Sequence, residues 1–204
     1  MSYKGTLYIV SAPSGAGKTS LLRTITEELT NLKISVSHTT RAMRSGEEDG
    51  VHYHFVSVEQ FKERIASNEF LEYAEVFGNW YGTSIASIDE QLNAGHDVVL
   101  EIDWQGAQQV RERLANTISI FILPPSRVEL EHRLNHRGQD NAEVIAKRMS
   151  EAISEISHYD EYDYVIVNDD FNTAKDELSS IFIAARQRLS KQRHKYQTLI
   201  DDLT

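Results

Sequence analysis

The sequence predicts an α/β fold: a five-stranded parallel core sheet with helices on both faces and a subdomain inserted into it. Three observations carry this. Strand-like and helix-like stretches alternate along the 204 residues, which is the rhythm of crossover connections between parallel strands. An apolar run at 7–10 feeds a Gly- and Ser-containing loop that opens into a helix-like stretch, LYIVSAPSGAGKTSLL. One stretch, 39–88, breaks the rhythm with extra strands. It reads as an insertion into a single domain whose core is 1–38 and 89–204.

Residues 6–12 read as a buried strand and 18–29 as the helix after it. Residues 33–37 make a short second strand, and the polar stretch 39–50 reads as loop. In 51–57, Val51, Tyr53 and Phe55 share one face and His52 and His54 the other, the period of a strand. A short amphipathic helix at 59–67, a strand at 70–77 and a helix at 84–93 stopped by Gly95 follow. Tyr81 lies between the last two, in an aromatic loop. Residues 97–102 are an apolar strand ending in acidic residues, 106–114 a helix, and 118–123 a buried strand stopped by Pro124-Pro125. Helices at 127–136 and 141–159 are joined by a polar link. On the second, Ile145, Met149, Ala152, Ile153 and Ile156 form an apolar stripe with Arg148 on its flank. Residues 164–168 are the last buried strand and 173–195 a long, largely polar helix.

Composition narrows the function classes. A net charge of −10 disfavours a general nucleic-acid binder, which is usually basic. It leaves anionic nucleotides open, because clustered Arg and Lys are locally positive even on an acidic protein. The absence of Cys excludes a disulfide framework and thiolate chemistry, and fits a reducing cytoplasm. No apolar run is long enough to span a membrane, and the N-terminus lacks the long apolar region of a signal peptide. His132 and His136 are spaced i, i+4, and His52 and His54 share a strand face. Without Cys or an H-E-x-x-H pattern these read as surface histidines rather than a metal site. The basic patch at 191–195 reads as a solvated helix end. Nothing in the sequence sets the oligomeric state.

The loop Ala12-Pro13-Ser14-Gly15-Ala16-Gly17-Lys18-Thr19 is nearly G-x-x-x-x-G-K-[ST], with Ala12 where the first Gly stands. Gly15 and Gly17 permit backbone angles that turn successive N–H groups inward. The helix that begins near Lys18 adds its positive end. Lys18 can reach the β- and γ-phosphates of a nucleotide and Thr19 can offer a hydroxyl to Mg²⁺. Residues 12–19 together with Ser20 are the expected phosphate-binding segment. Ala12 requires a negative φ, since it has a Cβ. In α/β sheets ligands sit at the carboxyl ends of strands. The loop, Ser37 and the segment 101–103 all follow strands.

A second constellation follows the second strand: Ser37-His-Thr-Thr-Arg41, then Arg44, Gly46 and Glu47. Taken alone, its two arginines are either a phosphate grip or a solvated loop. They are followed in order by Tyr53, Glu72, the segment Tyr81-Gly82-Thr83, Glu101-Ile-Asp103-Trp-Gln-Gly106, Arg137-Gly138 and Val167-Asn168-Asp169-Asp170. This order resembles the guanylate kinase family, nearest its bacterial members, over about 6–186. The resemblance implies a P-loop nucleoside-monophosphate kinase fold with a GMP-binding insertion and a small lid at about 137–148. It implies transfer of the γ-phosphoryl of ATP to GMP, and to dGMP, with Mg²⁺, in purine nucleotide metabolism and GMP recycling.

By that likeness Arg41, Arg44, Tyr53 and Tyr81 hold the GMP phosphate, with Glu47 in the same segment. Ser37, Glu72, Gly82, Thr83 and Asp103 surround the guanine and acceptor site. Lys18, Arg133, Arg137 and Arg148 lie near the transferring group, and Asn168 lies beside adenine. Glu101 stands where the family has Asp; it and Asp103 are candidates for the metal shell through water, Asp103 ranking first. The chemistry of the residues agrees. A carboxylate such as Glu72 accepts from both N1–H and N2–H₂ of guanine, whereas adenine presents a lone pair at N1. Two other readings stand beside this one: a kinase for a different base, and a non-catalytic binding module of the same fold. The intact Lys18 and Thr19 argue against the module.

Overall fold

The computed structural model describes residues 4–76, 78–136 and 142–204. In chain order it contains β1 (Leu7–Ser11), α1 (Lys18–Glu28), β2 (Leu32–Ile34), β3 (His38–Thr39), β4 (His54–Phe55) and α2 (Val58–Ala66). There follow β5 (Phe70–Val76), β6 (Asn79–Ser84), α3 (Ile85–Asn93), β7 (Asp97–Glu101), α4 (Trp104–Arg113) and β8 (Ile118–Leu123). The last elements are α5 (Arg127–His136), α6 (Ala142–Ile156), β9 (Tyr164–Val167), α7 (Phe171–Arg186), α8 (Leu189–Lys195) and α9 (Gln197–Leu203).

Five strands form one sheet in the order β2-β7-β1-β8-β9, every pair parallel. They are the five strands the alternation predicts. β1 is central and buried along its whole length. Its alternate side chains divide between two layers, as a strand period of two demands. Tyr8 and Val10 meet Leu21, Leu22 and Ile25 of α1 and Leu178 and Phe182 of α7. Leu7 and Ile9 meet Ile88 and Leu92 of α3 and Ala107 and Val110 of α4. A second sheet, β4-β3-β6-β5, takes its strands from the segment between His38 and Ser84.

Several local expectations change. Tyr81 lies in β6, not in a loop. In NWYGTS the strand formers Trp80, Tyr81 and Thr83 are interrupted by Asn79, Gly82 and Ser84, but the segment pairs antiparallel with both β5 and β3, and Gly78, at φ +74°, turns the chain into it. The predicted strand at 51–57 contracts to His54–Phe55, with 50–52 in a turn. The predicted helix at 173–195 breaks after Arg186. There the side-chain amide of Gln192 donates to the Arg186 carbonyl at 2.8 Å, taking the place of a backbone donor. Helix α4 starts two residues early because Asp103 caps it, its Oδ1 accepting from the Gly106 N–H at 3.0 Å. On α6, Met149 and Ala152 bury against Leu130 and Leu134 of α5 as expected, but Ile153 is exposed. Phe77, Arg137 and the link to 141 lie outside the described residues, as does that part of the expected lid.

Candidate active site

The loop leaves the carboxyl end of β1, the middle of the parallel sheet. Gly15 and Gly17 have φ of +92° and +91°, the left-handed region in which a side chain is strained. Among the described residues Ala12 is not one of the positive-φ positions, so the loop keeps its path without the first glycine. Gly17 has a second reason to lack a side chain. A Cβ there would lie 2.4 Å from Asn168 Nδ2, and that amide donates to the Ala16 carbonyl at 2.7 Å. The helix α1 that follows has no side-chain cap and no acidic residue in its first turn, unlike α2, α4 and α7, which Ser57, Asp103 and Asp170 cap. The first N–H groups of a helix have no internal partner, so here they remain available to an anion.

Across the loop stands the carboxyl end of β7. Lys18 Nζ is 3.4 Å from the Ile102 carbonyl, and the Thr19 hydroxyl donates to Glu101 Oε1 at 2.5 Å. The longer Glu101 side chain is thus the carboxylate against Thr19. Asp103, ranked first from sequence, commits one oxygen to capping α4. Among the described residues no group of three or more His, Cys, Asp or Glu forms a metal cage. Mg²⁺ does not need one, since it binds through one or two protein oxygens, water and substrate phosphates. The Thr19 oxygen keeps lone pairs for a cation while its proton goes to Glu101, so Thr19 and Glu101 fit such an ion.

The other wall of the cleft comes from the four-stranded sheet. Glu72 is 3% exposed, and a carboxylate this deep carries a desolvation penalty. Burial, with Asp103 nearby, pushes its carboxyl up to about 7, while hydrogen bonding from Thr83 opposes the shift. The Thr83 hydroxyl donates to Glu72 Oε1 at 2.5 Å and lies 3.4 Å from Ser37 Oγ. Gly106 makes room for the other oxygen: a Cβ there would be 2.6 Å from Glu72 Oε2. Arg41 makes a two-bond pair with Glu47, Nη2 to Oε1 at 2.7 Å and Nη1 to Oε2 at 3.0 Å. The Arg41 bond and the Arg44 backbone N–H hold the Glu47 carboxyl low, at about 2. The Arg41 guanidinium lies 5.4 Å from the centroid of the Tyr53 ring, which meets the Tyr81 ring edge-on at 5.9 Å.

One cleft is lined by Lys18, Ser37, Tyr53, Glu72, Tyr81, Glu101 and Asp103. Residues up to 85 positions apart in the sequence, from Lys18 to Asp103, therefore face one space. Thr83 is buried behind Glu72, next to buried Gly82, while Arg44 is exposed and is not among the residues lining the cleft. Arg133 and Asn168 are linked to each other and to the loop. The Arg133 guanidinium bonds Glu129 at 2.8 Å and the Asn168 carbonyl at 3.2 Å, and the Asn168 amide holds Ala16. Arg133 thus meets the Asn168 backbone, and the Asn168 side chain holds Ala16 of the loop. Arg148 is half-buried on α6.

The sequence reading missed Glu155, whose Oε2 accepts from the Ser14 N–H of the loop at 3.2 Å. The available signal was its spacing. Glu155 follows Arg148 by seven residues, about two helical turns, which puts both on one face of α6.

A family model described as guanylate kinase matches residues 4–185. The guanylate kinase of Vibrio parahaemolyticus serotype O3:K6 (strain RIMD 2210633) is 64% identical over 202 residues, spanning 98% of both chains. That of Escherichia coli (strain K12) is 57% identical over 202 residues, again spanning 98% of both. The crystal structure of guanylate kinase from Anaplasma phagocytophilum matches with a TM-score of 0.75 and 37% identity, covering 93% of this chain and 90% of that one. With a family match across nearly the whole chain and guanylate kinases 57–64% identical over nearly all of it, the chain belongs to the guanylate kinase family.

Proposed function

We propose that this family member transfers the γ-phosphoryl group of ATP to GMP, with dGMP as a second acceptor, in the cleft between the phosphate loop and the four-stranded sheet. The observation that carries the site assignment is that Lys18 and the buried Glu72 line the same cleft. One end suits a polyphosphate and the other a base with two adjacent donors. The loop N–H groups and Lys18 hold the ATP phosphates, and Asn168 and Arg133 keep the loop in shape. Arg41, oriented by Glu47, grips the GMP phosphate together with Arg44, Tyr53 and Tyr81. Glu72 reads the guanine edge, with Thr83 and Ser37 fixing its carboxylate. We assign the acceptor site to the insertion 39–88, and the lid to 137–148 with Arg137 and Arg148. Phosphoryl transfer rests on positioning and charge neutralisation, and the acceptor phosphate is already anionic, so no general base is needed. Thr19 and Glu101 would hold Mg²⁺, which neutralises charge on the β- and γ-phosphates when bound. No helix among the described residues is long and apolar enough to cross a membrane. Together with the lack of Cys, this supports a place in the cytoplasm, in purine nucleotide metabolism.

An ADP-release assay with ATP and Mg²⁺ across the nucleoside monophosphates tests the reading. GMP is expected to outpace AMP, UMP and CMP by orders of magnitude. A faster reaction with AMP or UMP overturns the base assignment, and no turnover with any acceptor points to a binding module. The phosphate grip has its own test. Arg41→Met removes a two-pronged, charge-assisted contact and is expected to raise the KM for GMP about tenfold to a hundredfold. The KM for ATP should barely move, and an equal rise in both would contradict the placement of Arg41.

A further inference from the structure

We propose that Glu155 is a built-in competitor of the nucleotide: its carboxylate occupies an anion position of the phosphate loop, and ATP must displace it to bind. The inference rests on the reading above that this loop binds the ATP phosphates. Glu155 comes from α6, distant in sequence from the loop, and its Oε2 accepts from the Ser14 N–H at 3.2 Å. The Lys18 ammonium is near enough to favour its charged form, so two of the groups that a polyphosphate would use already act on this carboxylate. Among the described residues no other carboxylate accepts from the backbone of 12–17, and α1 offers none in its first turn. Glu155 is therefore the local substitute for the missing anion.

Its surroundings also make the contact displaceable. Burial, with Asp103 and Glu151 nearby, raises its carboxyl above the ordinary range despite the Ser14 N–H and Lys18. A carboxylate built in as a permanent ion pair would be held low, as Glu47 is. A polyphosphate brings more negative charge and more acceptor oxygens to the same donors, so it wins the position and pushes Glu155 aside. The same helix carries Arg148 on the same face. Movement of α6 that withdraws the glutamate would then also move Arg148, assigned above to the lid.

Glu155→Gln and Glu155→Ala separate charge from hydrogen bonding, because Gln keeps an acceptor for the Ser14 N–H. If Glu155 competes, both variants bind ATP more tightly, with Kd and KM for ATP falling about threefold to fivefold and the KM for GMP unchanged. If it only braces the loop, Gln leaves the ATP Kd at the wild-type value and Ala raises it; this result, or no change in either variant, overturns the proposal. Lys18→Ala in the same binding assay identifies which idea has failed. Loss of ATP affinity there, with unaltered Glu155 variants, removes only the competition. Unaltered affinity in Lys18→Ala removes the loop as the ATP site.

Discussion

Lys18→Ala is expected to lower kcat by about 10²–10³-fold, the scale for removing one preorganised group that meets developing charge in a transition state. The position of the side chain sets this size. Its ammonium reaches across the loop to the β7 end, where its one hydrogen bond among the described residues is a long one, 3.4 Å to the Ile102 carbonyl. A charge held so loosely is available to phosphate oxygens, and alanine leaves that site without its cation. The backbone cradle remains, so ATP still binds, more weakly, and GMP binding is unchanged. Lys18 is half-buried at the mouth of the cleft, so the melting temperature should stay within a degree or two of wild type. Steady-state kinetics beside calorimetric GMP titration make the check. A kcat near the wild-type value would remove Lys18 from the mechanism.

Glu72→Gln is expected to cut kcat/KM for GMP by at least about a hundredfold while stabilising the nucleotide-free protein at alkaline pH. The loss comes from recognition: an amide offers one acceptor and turns an NH₂ toward guanine donors, leaving buried polar groups opposed. The gain comes from removing a buried charge. Glu72 titrates near 7 in the folded protein against 4.5 ordinarily. Between those values the folded state holds a proton that the unfolded chain has released. Unfolding free energy therefore falls as pH rises from about 4.5 to about 7, and the full penalty, on the order of 3 kcal/mol, applies above that. Gln has no such proton to lose, so its stability curve should cross the wild-type one with rising pH. Urea melts at pH 5 and pH 8 measure this, and parallel curves for the two proteins would refute it. Guanine donors favour the anion, so wild-type affinity for GMP should also weaken as pH falls below about 7.

Much of the core was legible because its signals are local. The parallel sheet shows as a repeated strand-then-helix rhythm, and the phosphate loop as a few contiguous residues whose backbone does the binding. The acceptor residues were legible only as a series of motifs in order, since neither Glu72 nor Arg41 is distinctive alone. Errors arose where an element is stabilised by its neighbours. Tyr81 reads as a loop residue because Asn79, Gly82 and Ser84 interrupt the strand formers around it, and pairing with β3 and β5 makes the segment a strand. The terminal helix looked continuous because its break is satisfied by a side chain, Gln192, rather than by Pro or Gly.

By itself, then, the sequence determined the parallel core, the phosphate loop with Lys18 and Thr19, and the family to which the chain belongs. Tertiary structure alone decided that Glu101 rather than Asp103 meets Thr19, that Gly106 leaves room for the Glu72 carboxylate, and that Asn168 braces Ala16. It alone put Glu155 on the loop, across 141 residues of chain. The reason is one of range. Backbone geometry and periodicity are written in adjacent residues, whereas burial, and every contact or shifted pKa that follows from it, depends on which distant segments the packing brings together.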